Sequence, residues 1–435
     1  MSASMRKIAF KRESGVVANR RYVLERQNVG SAADLLQLVD SAFTERPLRW
    51  YISQADQHRI TLESTEYDGE LPPLGTPERL RRSGADVVVS LIPTGIGCSV
   101  GGYAGDAAPA TALLAQAADF VVTNPNAVNA SNFIRLDEKV LYTEGSCIDA
   151  FSRGEINLHR AVGNRVGLII EGASDTAVEH VLNVTNAVRA VHGVDVVDYV
   201  VTDRPIGSHC VRNESGAYVG TVDNVDVLLE AAERLIARGA NSIAITTNVQ
   251  DLDPDEYSAH FSGKEANPVG GVEAIISHLI VRHFGLPAAH APMINFKDLA
   301  LDHKVVDARS AGEIVSTSGL ACVLVGLSRA PQLSADVPGT RLAEELSFTD
   351  VVAVVAPAGA LGGPPVLEAL RRRIPVIAVR GNETMFAVTA EALDLPGIIE
   401  VANYAEAAGT ILALRSGIAL DTVSRPLQSL GRPNS

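Results

Sequence analysis

A glycine-rich loop follows the first strongly apolar segment of the chain and offers backbone N–H groups to an anion. The loop, TGIGCSVGGYAGD, lies between the apolar run VVVSLIP and an alanine-rich stretch with helical spacing. Glycine permits positive φ and a close approach of the backbone, so N–H groups of loop and helix can face a carboxylate or phosphate. The same glycines would also serve tight turns and close packing. The pattern predicts anion binding by Thr94, Gly95, Gly97, Gly101 and Gly102.

A second strand-to-helix junction, APAGALGGPPVLEAL, has a similar composition. Gly362 and Gly363 precede two prolines, and proline suits the first turn of a helix. The two junctions either face each other across a cleft and hold two ends of one ligand, or they are unrelated turns. The first junction is not a standard nucleotide loop, because Val100 stands where G-x-G-x-x-G needs glycine and no G-K-[ST] follows.

Four side chains are candidates for proton transfer. His278 lies on a predicted helix, and His290 lies in GLPAAHAPM, in a predicted turn among small residues that leave room for a ligand. Asp106 begins a helical segment, where its carboxylate would cap the helix or act as a base. Glu383 follows the predicted strand PVIAVRG. The spacing of His278, His283 and His290 matches no standard ligand pattern, so the sequence predicts no metal site.

Polar side chains follow several predicted strands at the points where those strands end. In open parallel sheets, ligands bind beyond the carboxyl ends of the strands. We therefore expect one shared cleft that is lined by Asn124, Asn126, Asp203, Arg329 and Asn382. The asparagine amides would orient a substrate, and the guanidinium would pair with an acidic group.

Apolar runs alternate with amphipathic helices from residue 86 onward. The predicted strands are DVVVSLIP, DFVVTNP, RVGLIIEG, VDYVVTD, SIAITTN, ACVLVGLS, DVVAVVAPAG, PVIAVRG and GIIEVAN, and the clearest helices are NVDVLLEAAERLIARGA, GGVEAIISHLIVRHFG and PPVLEALRRRI. Continuous Val/Ile/Leu runs between such helices are typical of parallel sheets covered on both faces. The fold class is therefore α/β, with mostly parallel sheets arranged as two Rossmann-like lobes.

The first seventy or so residues form a different, smaller unit. RKIAFKRE, RRYVLERQ, LRWYISQ and HRITLEST read as strands, and SAADLLQLVDSAFTE reads as a helix opened by a serine N-cap. We expect an α+β accessory module over residues 1–72 and a linker over 73–85, where proline and glycine are frequent. The first lobe then covers 86–240 and the second 241–435. The module has no catalytic constellation, and we expect an accessory or oligomerisation role.

Composition narrows the class of partner and the compartment. The 435-residue chain carries a formal net charge of -14, which disfavours nucleic acid and anionic membranes as partners. Its apolar runs are strand-sized, and its start has no signal-peptide core, so we expect a cytoplasmic location. The four cysteines lie far apart, which disfavours a disulfide framework. Cys98 is expected to pack in its loop, since no sequence feature assigns it a base.

A series of motifs in order along the chain resembles one known family. The motifs are LIPTGIG, GGYAGDA, NPN, NRVGLI, DYVVTD, EAIISHL, AHAP, VLVGLSRAP and GNET, from about residue 87 to about residue 418. They resemble the family catalogued as domain of unknown function 3326, which implies no particular activity. The resemblance favours the candidates that lie within these motifs: Asp106, Asn126, Asp203, His278, His290, Arg329, Asn382 and Glu383.

These observations lead to an expected function with two alternatives. The expected protein is an enzyme that acts on a small metabolite bearing a carboxylate or phosphate, with His290 and either Asp106 or Glu383 moving protons. Lyase, isomerase and hydrolase chemistry all suit these groups, and no motif requires a cofactor. The alternatives are a nucleotide- or NAD(P)-dependent enzyme and a non-catalytic ligand sensor. A homo-oligomer is plausible for each.

Overall fold

The N-terminal module is a three-stranded antiparallel sheet with one helix. The computed structural model describes residues 15–26, 29–72, 83–124, 137–250, 253–293, 305–316, 319–335, 337 and 340–430. The module's elements are β1 (Val17–Glu25), α1 (Ala32–Asp40), β2 (Arg49–Ala55) and β3 (Arg59–Tyr67), in the sheet order β1-β3-β2. The predicted serine N-cap is confirmed, because the Ser31 side chain accepts a hydrogen bond from the backbone N–H of Asp34. The predicted strand RKIAFKRE lies outside the described residues.

The rest of the chain alternates between strands and helices. The first elements are β4 (Val87–Ser90), α2 (Ala108–Ala117), β5 (Phe120–Thr123), β6 (Val140–Tyr142), α3 (Gly145–Arg153), β7 (Leu158–Val162), β8 (Arg165–Ile170), α4 (Asp175–His192), β9 (Asp195–Val201), β10 (Ser208–Arg212), β11 (Tyr218–Val222) and α5 (Val225–Ala237). They are followed by β12 (Ser242–Thr247), β13 (Val249–Gln250), α6 (Pro254–Phe261), α7 (Gly270–Phe284), β14 (Ala288–Pro292), α8 (Ala311–Ile314), α9 (Leu320–Leu327), β15 (Arg341–Leu346), β16 (Val351–Pro357), α10 (Pro364–Arg371), β17 (Val376–Val379), α11 (Ala390–Leu393), β18 (Ile398–Val401) and α12 (Tyr404–Arg415).

The larger sheet has six parallel strands in the order β18-β17-β16-β4-β5-β6. Alternate side chains of β4 point to opposite faces, as the pleat of a strand requires. Val88 packs with residues of α2 and α12, whereas Val87 and Val89 belong to the core cluster that includes residues of α3 and α10. Both faces are therefore covered, which explains why these strands are apolar along their whole length.

The second sheet has four parallel strands in the order β14-β12-β8-β9. Helices α4 and α9 cover one face, and α5 and α7 cover the other. The predicted strand ACVLVGLS is wrong, because its residues form α9 instead. A short run that is apolar all round suits a buried helix as well as a buried strand, and here Gly326 of α9 packs tightly against the ring of Tyr142.

The α/β class with mostly parallel, helix-covered sheets and a small N-terminal α+β module is confirmed. Both parallel sheets combine strands from either side of residue 240, where the second lobe was expected to begin. The six-stranded sheet joins β4–β6 to β16–β18, and the four-stranded sheet joins β8 and β9 to β12 and β14. Among the described residues, no helix is long and apolar enough to cross a lipid bilayer.

The N-terminal module is attached to the rest of the protein by hydrogen bonds to backbone carbonyls. The N–H of Ile52 in β2 donates to the carbonyl of Gly362 over 3.1 Å, and Arg26 donates to the carbonyls of Ala392 and Leu393. Asn19 donates to the carbonyl of Gly220 over 2.9 Å. These contacts place β2 directly against the second glycine junction.

We expect the substitution Gly362→Ala to lower the free energy of unfolding by about 1–3 kcal/mol, the usual cost of overpacking an interior. A Cβ at this position would lie 2.6 Å from Cβ of Ile52 and 2.8 Å from its carbonyl oxygen, so β2 would have to move. Denaturant unfolding would measure the change. The control is Gly409→Ala inside α12, where a Cβ meets nothing within 4 Å and alanine should stabilise the helix by about 1 kcal/mol. Equal stability of Gly362→Ala and the wild type would contradict this account of the contact.

Candidate functional site

A cavity of about 200 Å³ lies at the carboxyl edge of the six-stranded sheet. Its walls come from segments that follow β4, β5, β6 and β16, together with β2 of the N-terminal module and one face of α7. The polar residues that line it are Arg49, Thr94, Asn124, Glu144, Asp149, Ser277 and His278, and the apolar ones include Trp50, Tyr51, Ile52, Ile92, Ile96, Ile148, Pro364, Pro365 and Phe386. The cavity thus occupies the place where ligands bind in open parallel sheets.

A buried carboxylate–imidazole pair forms one wall of this cavity. Glu144 and His278 are 4% and 6% exposed, and Nδ1 of His278 hydrogen-bonds Oε2 of Glu144. Glu144 is also the N-cap of α3, because its carboxylate accepts hydrogen bonds from the N–H groups of Ser146 and Cys147 over 3.0 and 2.9 Å. Within the described part of the chain, Nε2 of His278 makes no hydrogen bond and is left for a bound molecule.

The charge on Glu144 is strongly stabilised despite its burial. Removal from water would raise the pKa of this carboxyl. The attraction and hydrogen bond of His278, together with the hydrogen bonds from Ser146, outweigh that effect and hold the pKa at about 2. An ionised Glu144 favours a proton on Nδ1 of His278, which orients the ring and frees Nε2 for chemistry.

A second carboxyl at the cavity has the opposite property. Asp149 lies one turn beyond the start of α3 and is half-buried. Burial raises its pKa to about 6, although electrostatic interactions with Arg153, His278 and Arg49 oppose that rise. Two carboxyls on one short helix therefore differ widely in proton affinity, which is the arrangement that acid–base enzymes use.

Asn124 presents a fixed hydrogen-bond donor to the cavity. Its Oδ1 accepts the N–H of Ile92 over 3.1 Å, which assigns the two ends of the amide. Nδ2 makes no hydrogen bond within the described ranges, so it is available to a ligand oxygen. Thr94, the first residue of the glycine loop, also lines the cavity, and its hydroxyl lies 3.4 Å from the carbonyl of Gly270 at the start of α7.

The structure brings together five residues proposed from the sequence: Thr94, Asn124, His278, Gly362 and Gly363. Both glycine junctions therefore contribute to one cavity, the first through Thr94 and Ile96 and the second through Gly362 and Gly363. Asn126, proposed as a second substrate-orienting amide, lies outside the described residues and stays a prediction. The other proposed residues lie elsewhere.

Carboxyl groups of the protein itself occupy the far half of the glycine loop. The N–H groups of Gly101, Tyr103 and Gly102 favour the ionised form of Asp106, but burial dominates and raises the pKa of Asp106 to about 6. Glu313 accepts a hydrogen bond from the N–H of Ala104, and burial raises the pKa of Glu313 to about 8. The N–H groups expected to bind an external anion thus face internal carboxyls. Asp106 does not cap α2, whose N-cap, Ala107, has no side-chain hydrogen bond.

Backbone conformation and close packing explain why the loop contains glycines. Gly95, Gly97 and Gly101 have φ values of +76°, +63° and +91°, a region that favours glycine. Gly95 also touches the next layer, because a Cβ there would lie 2.6 Å from the carbonyl oxygen of Tyr218. A Cβ on Gly102 would lie 2.5 Å from the carbonyl oxygen of Cys98.

Asn382 and Glu383 hold the same loop from outside the cavity. The Asn382 amide exchanges two hydrogen bonds with the backbone of Val100, over 2.8 and 3.0 Å, and also donates to the hydroxyl of Tyr404. The carbonyl of Glu383 accepts the N–H of Ser99, while its side chain is exposed. Both residues position the loop.

Cys98 is buried with its thiol 3.0 Å from the carbonyl of Pro93, and burial raises the pKa of this thiol.

His290 lies in the interior and not in a turn. It belongs to β14, where the residues are small because α7 and α9 pack on either side. Its Nε2 lies 2.9 Å from the hydroxyl of Thr247, and its Nδ1 lies 3.5 Å from Oε1 of Glu273. The side chain is 0% exposed. The predicted turn at His290 is therefore wrong. His290 is not among the residues that line the cavity, and its proposed contact with a ligand stays a prediction.

Asp203 and Arg329 are not among the residues that line the cavity. Asp203 is exposed after β9, the edge strand of the four-stranded sheet. Arg329 follows α9, is 49% exposed and lies 3.8 Å from Glu138. The expected position of Arg329 at a strand end fails because α9 is a helix.

Sequence reasoning missed Glu144, Asp149 and Arg49. A signal for the first two was present, since YTEGSCIDAF follows the apolar run VLY with the same strand-then-polar pattern used for other candidates. Arg49 carried no such signal, because it begins a strand of the N-terminal module and does not follow the end of a parallel strand. Among the described residues, no cluster of three or more His, Cys, Asp or Glu side chains could hold a metal ion.

The fold and the site define an α/β protein with a buried carboxylate–imidazole pair at the carboxyl edge of a parallel sheet. A family model described as a protein of unknown function (DUF3326) matches residues 87–424. The chain is also 36% identical over 334 residues to an uncharacterized lipoprotein of Synechococcus sp., covering 76% of this chain and 91% of that protein. The chain belongs to the DUF3326 family, as its motifs predicted.

We expect Glu144→Gln to lower stability at neutral pH by an amount on the order of 3 kcal/mol, which corresponds to the pKa shift from 4.5 to about 2. A carboxyl with a depressed pKa stabilises the folded state at pH values above its ordinary pKa. That contribution is lost as the pH falls from about 4.5 through about 2. The difference between variant and wild type should therefore shrink over this acidic range. Unfolding measured from pH 7 to pH 2 tests this, with exposed Glu230→Gln as a control that stays within about 0.5 kcal/mol.

We expect Asp149→Asn to raise the melting temperature at pH 7.5 and to leave it nearly unchanged at pH 3.5. The raised pKa means that ionisation of Asp149 opposes folding, so stability is lost as the pH rises from about 3.8 through about 6. Asparagine removes that ionisation. Thermal unfolding at both pH values provides the measurement, with exposed Asp421→Asn as the matched control. A lower melting temperature at pH 7.5 would show that ionised Asp149 is stabilised in the fold.

Proposed function

We propose that the protein is an enzyme in which His278 performs acid–base chemistry on a small anionic metabolite bound in the cavity. The observation that carries this proposal is the buried Glu144–His278 pair, with Nε2 of the imidazole left without a partner among the described residues. A carboxylate that orients a histidine at a cavity wall is the usual construction of a general base.

The neighbouring groups suit the charge changes of such a reaction. Nε2 of His278 would take a proton from the substrate, and the Glu144 carboxylate would stabilise the imidazolium that forms. Nδ2 of Asn124 would donate to an oxygen on which negative charge develops. Asp149, with a pKa raised to about 6 by burial, would supply or accept a second proton. These needs belong to a lyase, an isomerase or a hydrolase.

The proposal replaces His290 with His278 as the principal proton carrier. His290 was favoured because small residues surround it, but those residues belong to a strand packed between helices. His278 lines the cavity and has a buried carboxylate partner. A cytoplasmic location is part of the proposal, and it is supported by four free cysteines, three of them buried.

Two alternative functions, a nucleotide-dependent enzyme and a non-catalytic ligand sensor, would give different results in binding and turnover assays. A nucleotide-dependent enzyme would bind a fluorescent nucleotide analogue in competition with adenine nucleotides. A sensor would bind its ligand and convert none of it. Either result would replace the proposed reaction class without changing the location of the site.

We expect His278→Gln to lower kcat by roughly 10²–10⁴-fold, the usual effect of losing one positioned acid or base. Purified protein would be incubated with a library of carboxylates and phosphate esters, and mass spectrometry would follow substrate loss and product formation. The loss should persist at saturating substrate because the affected step is chemical. The matched control is His192→Gln, at the exposed end of α4, which should keep normal turnover. A folded His278→Gln variant with unchanged kcat would remove this residue from the proposed chemistry.

A further inference from the structure

The N-terminal module contributes an unpaired cation to the cavity. Arg49 of β2 lines it and is half-buried, with its guanidinium carbon 5.1 Å from the centre of the Tyr51 ring. Within the described part of the chain, this guanidinium makes no hydrogen bond and no ion pair within 4 Å. A half-buried guanidinium with no ion-pair partner within 4 Å is a candidate site for a ligand anion.

The remaining charges at the cavity are already matched or are negative. His278 is paired with Glu144, whose oxygens are all engaged. Asp149 is ionised above a pH of about 6 and lies near enough to Arg49 to interact with it electrostatically. One guanidinium beside one carboxyl suits a singly charged carboxylate better than a doubly charged phosphate, and the fork of arginine matches a carboxylate in bidentate geometry.

Aromatic side chains line the cavity together with Arg49. The rings of Tyr51 and Phe386 are stacked with centroids 5.6 Å apart and an interplanar angle of 24°. Ile96 and Ile148 also line the cavity. The volume of about 200 Å³ is below the roughly 300–1,000 Å³ of pockets for drug-sized ligands, so the occupant is smaller than a dinucleotide.

We infer that the cavity binds a small monocarboxylate with a flat, aromatic body, and that Arg49 of the N-terminal module holds its carboxylate. This inference rests on the proposed function in placing the substrate at the same cavity as His278. Arg49 and Tyr51 lie outside residues 87–424, which the family model matches. The family region thus supplies the acid–base pair, and the module supplies the anion anchor and part of the aromatic wall. The module becomes a specificity element, beyond the accessory role expected from its sequence.

The test is calorimetric titration of the full chain with 3-phenylpropionate, its amine isostere 3-phenylpropylamine, hexanoate and inorganic phosphate. We expect 3-phenylpropionate to bind most tightly and the amine to show no binding. Arg49→Ala should weaken the binding of 3-phenylpropionate by about 10–100-fold, and Arg49→Lys should weaken it less because the charge remains. Arg59→Ala, exposed on β3 of the same module, is the matched control and should bind normally. Phe386→Leu should weaken 3-phenylpropionate more than hexanoate.

Several results would overturn the inference. They are equal binding of acid and amine, preference for inorganic phosphate, absence of binding by every probe, and unchanged binding by Arg49→Ala. The melting temperature of each variant without ligand separates loss of binding from loss of fold, and Arg49→Lys keeps the test valid if Arg49→Ala is unstable. The variant His278→Gln is measured in parallel for turnover and for binding of 3-phenylpropionate. Normal turnover by that variant, with carboxylate binding still dependent on Arg49, would overturn the proposed function alone.

Discussion

The hydrogen bond between Glu144 and His278 is the interaction on which the arrangement of the site depends. Glu144 follows β6 at the edge of the six-stranded sheet, and His278 belongs to α7, which covers the four-stranded sheet. One buried contact therefore links the two sheets at the wall of the cavity. Because Glu144 also caps α3, the same carboxylate fixes the helix that carries Asp149. Loss of the charge on Glu144 would weaken the cap of α3, the contact between the two sheets and the orientation of the His278 ring together.

The contrast between two carboxyls on α3 follows from their different partners. Both carboxyls lose hydration, which by itself raises a pKa. Glu144 recovers that loss through His278 and the N–H groups at the start of the helix, whereas Asp149 lies farther from those donors. The cavity consequently contains one group that stays charged and another that gains a proton near neutral pH. Neutralising Asp149 would stabilise the folded protein, and a carboxyl with a raised pKa at a cavity is typical of functional groups.

The sequence predicted the fold better than the site, and particular residues show why. Strands such as β8 and β16 are apolar over most of their length and are followed by helices, a local pattern that specifies covered parallel strands. Helix α9 was misread because LACVLVGL is apolar all round and lacks the period that separates helix from strand. The partner of Glu144 lies 134 residues away, and the wall formed by Arg49 comes from another module. Such contacts depend on the packing of whole elements, and one sequence contains no local signal for them.

The glycine loop shows how a correct local observation can lead to a different physical role. Glycine does give the loop positive φ values and close packing, and its N–H groups do face carboxyls. Those carboxyls are Asp106 and Glu313 of the chain itself, so N–H groups in the far half of the loop already have acceptors within the protein. An external anion placed there would have to displace these carboxyls from the N–H groups. The near half, with Thr94 and Ile96, instead forms a wall of the cavity. The cation that the proposed ligand would meet in this cavity is the guanidinium of Arg49, which the N-terminal module contributes.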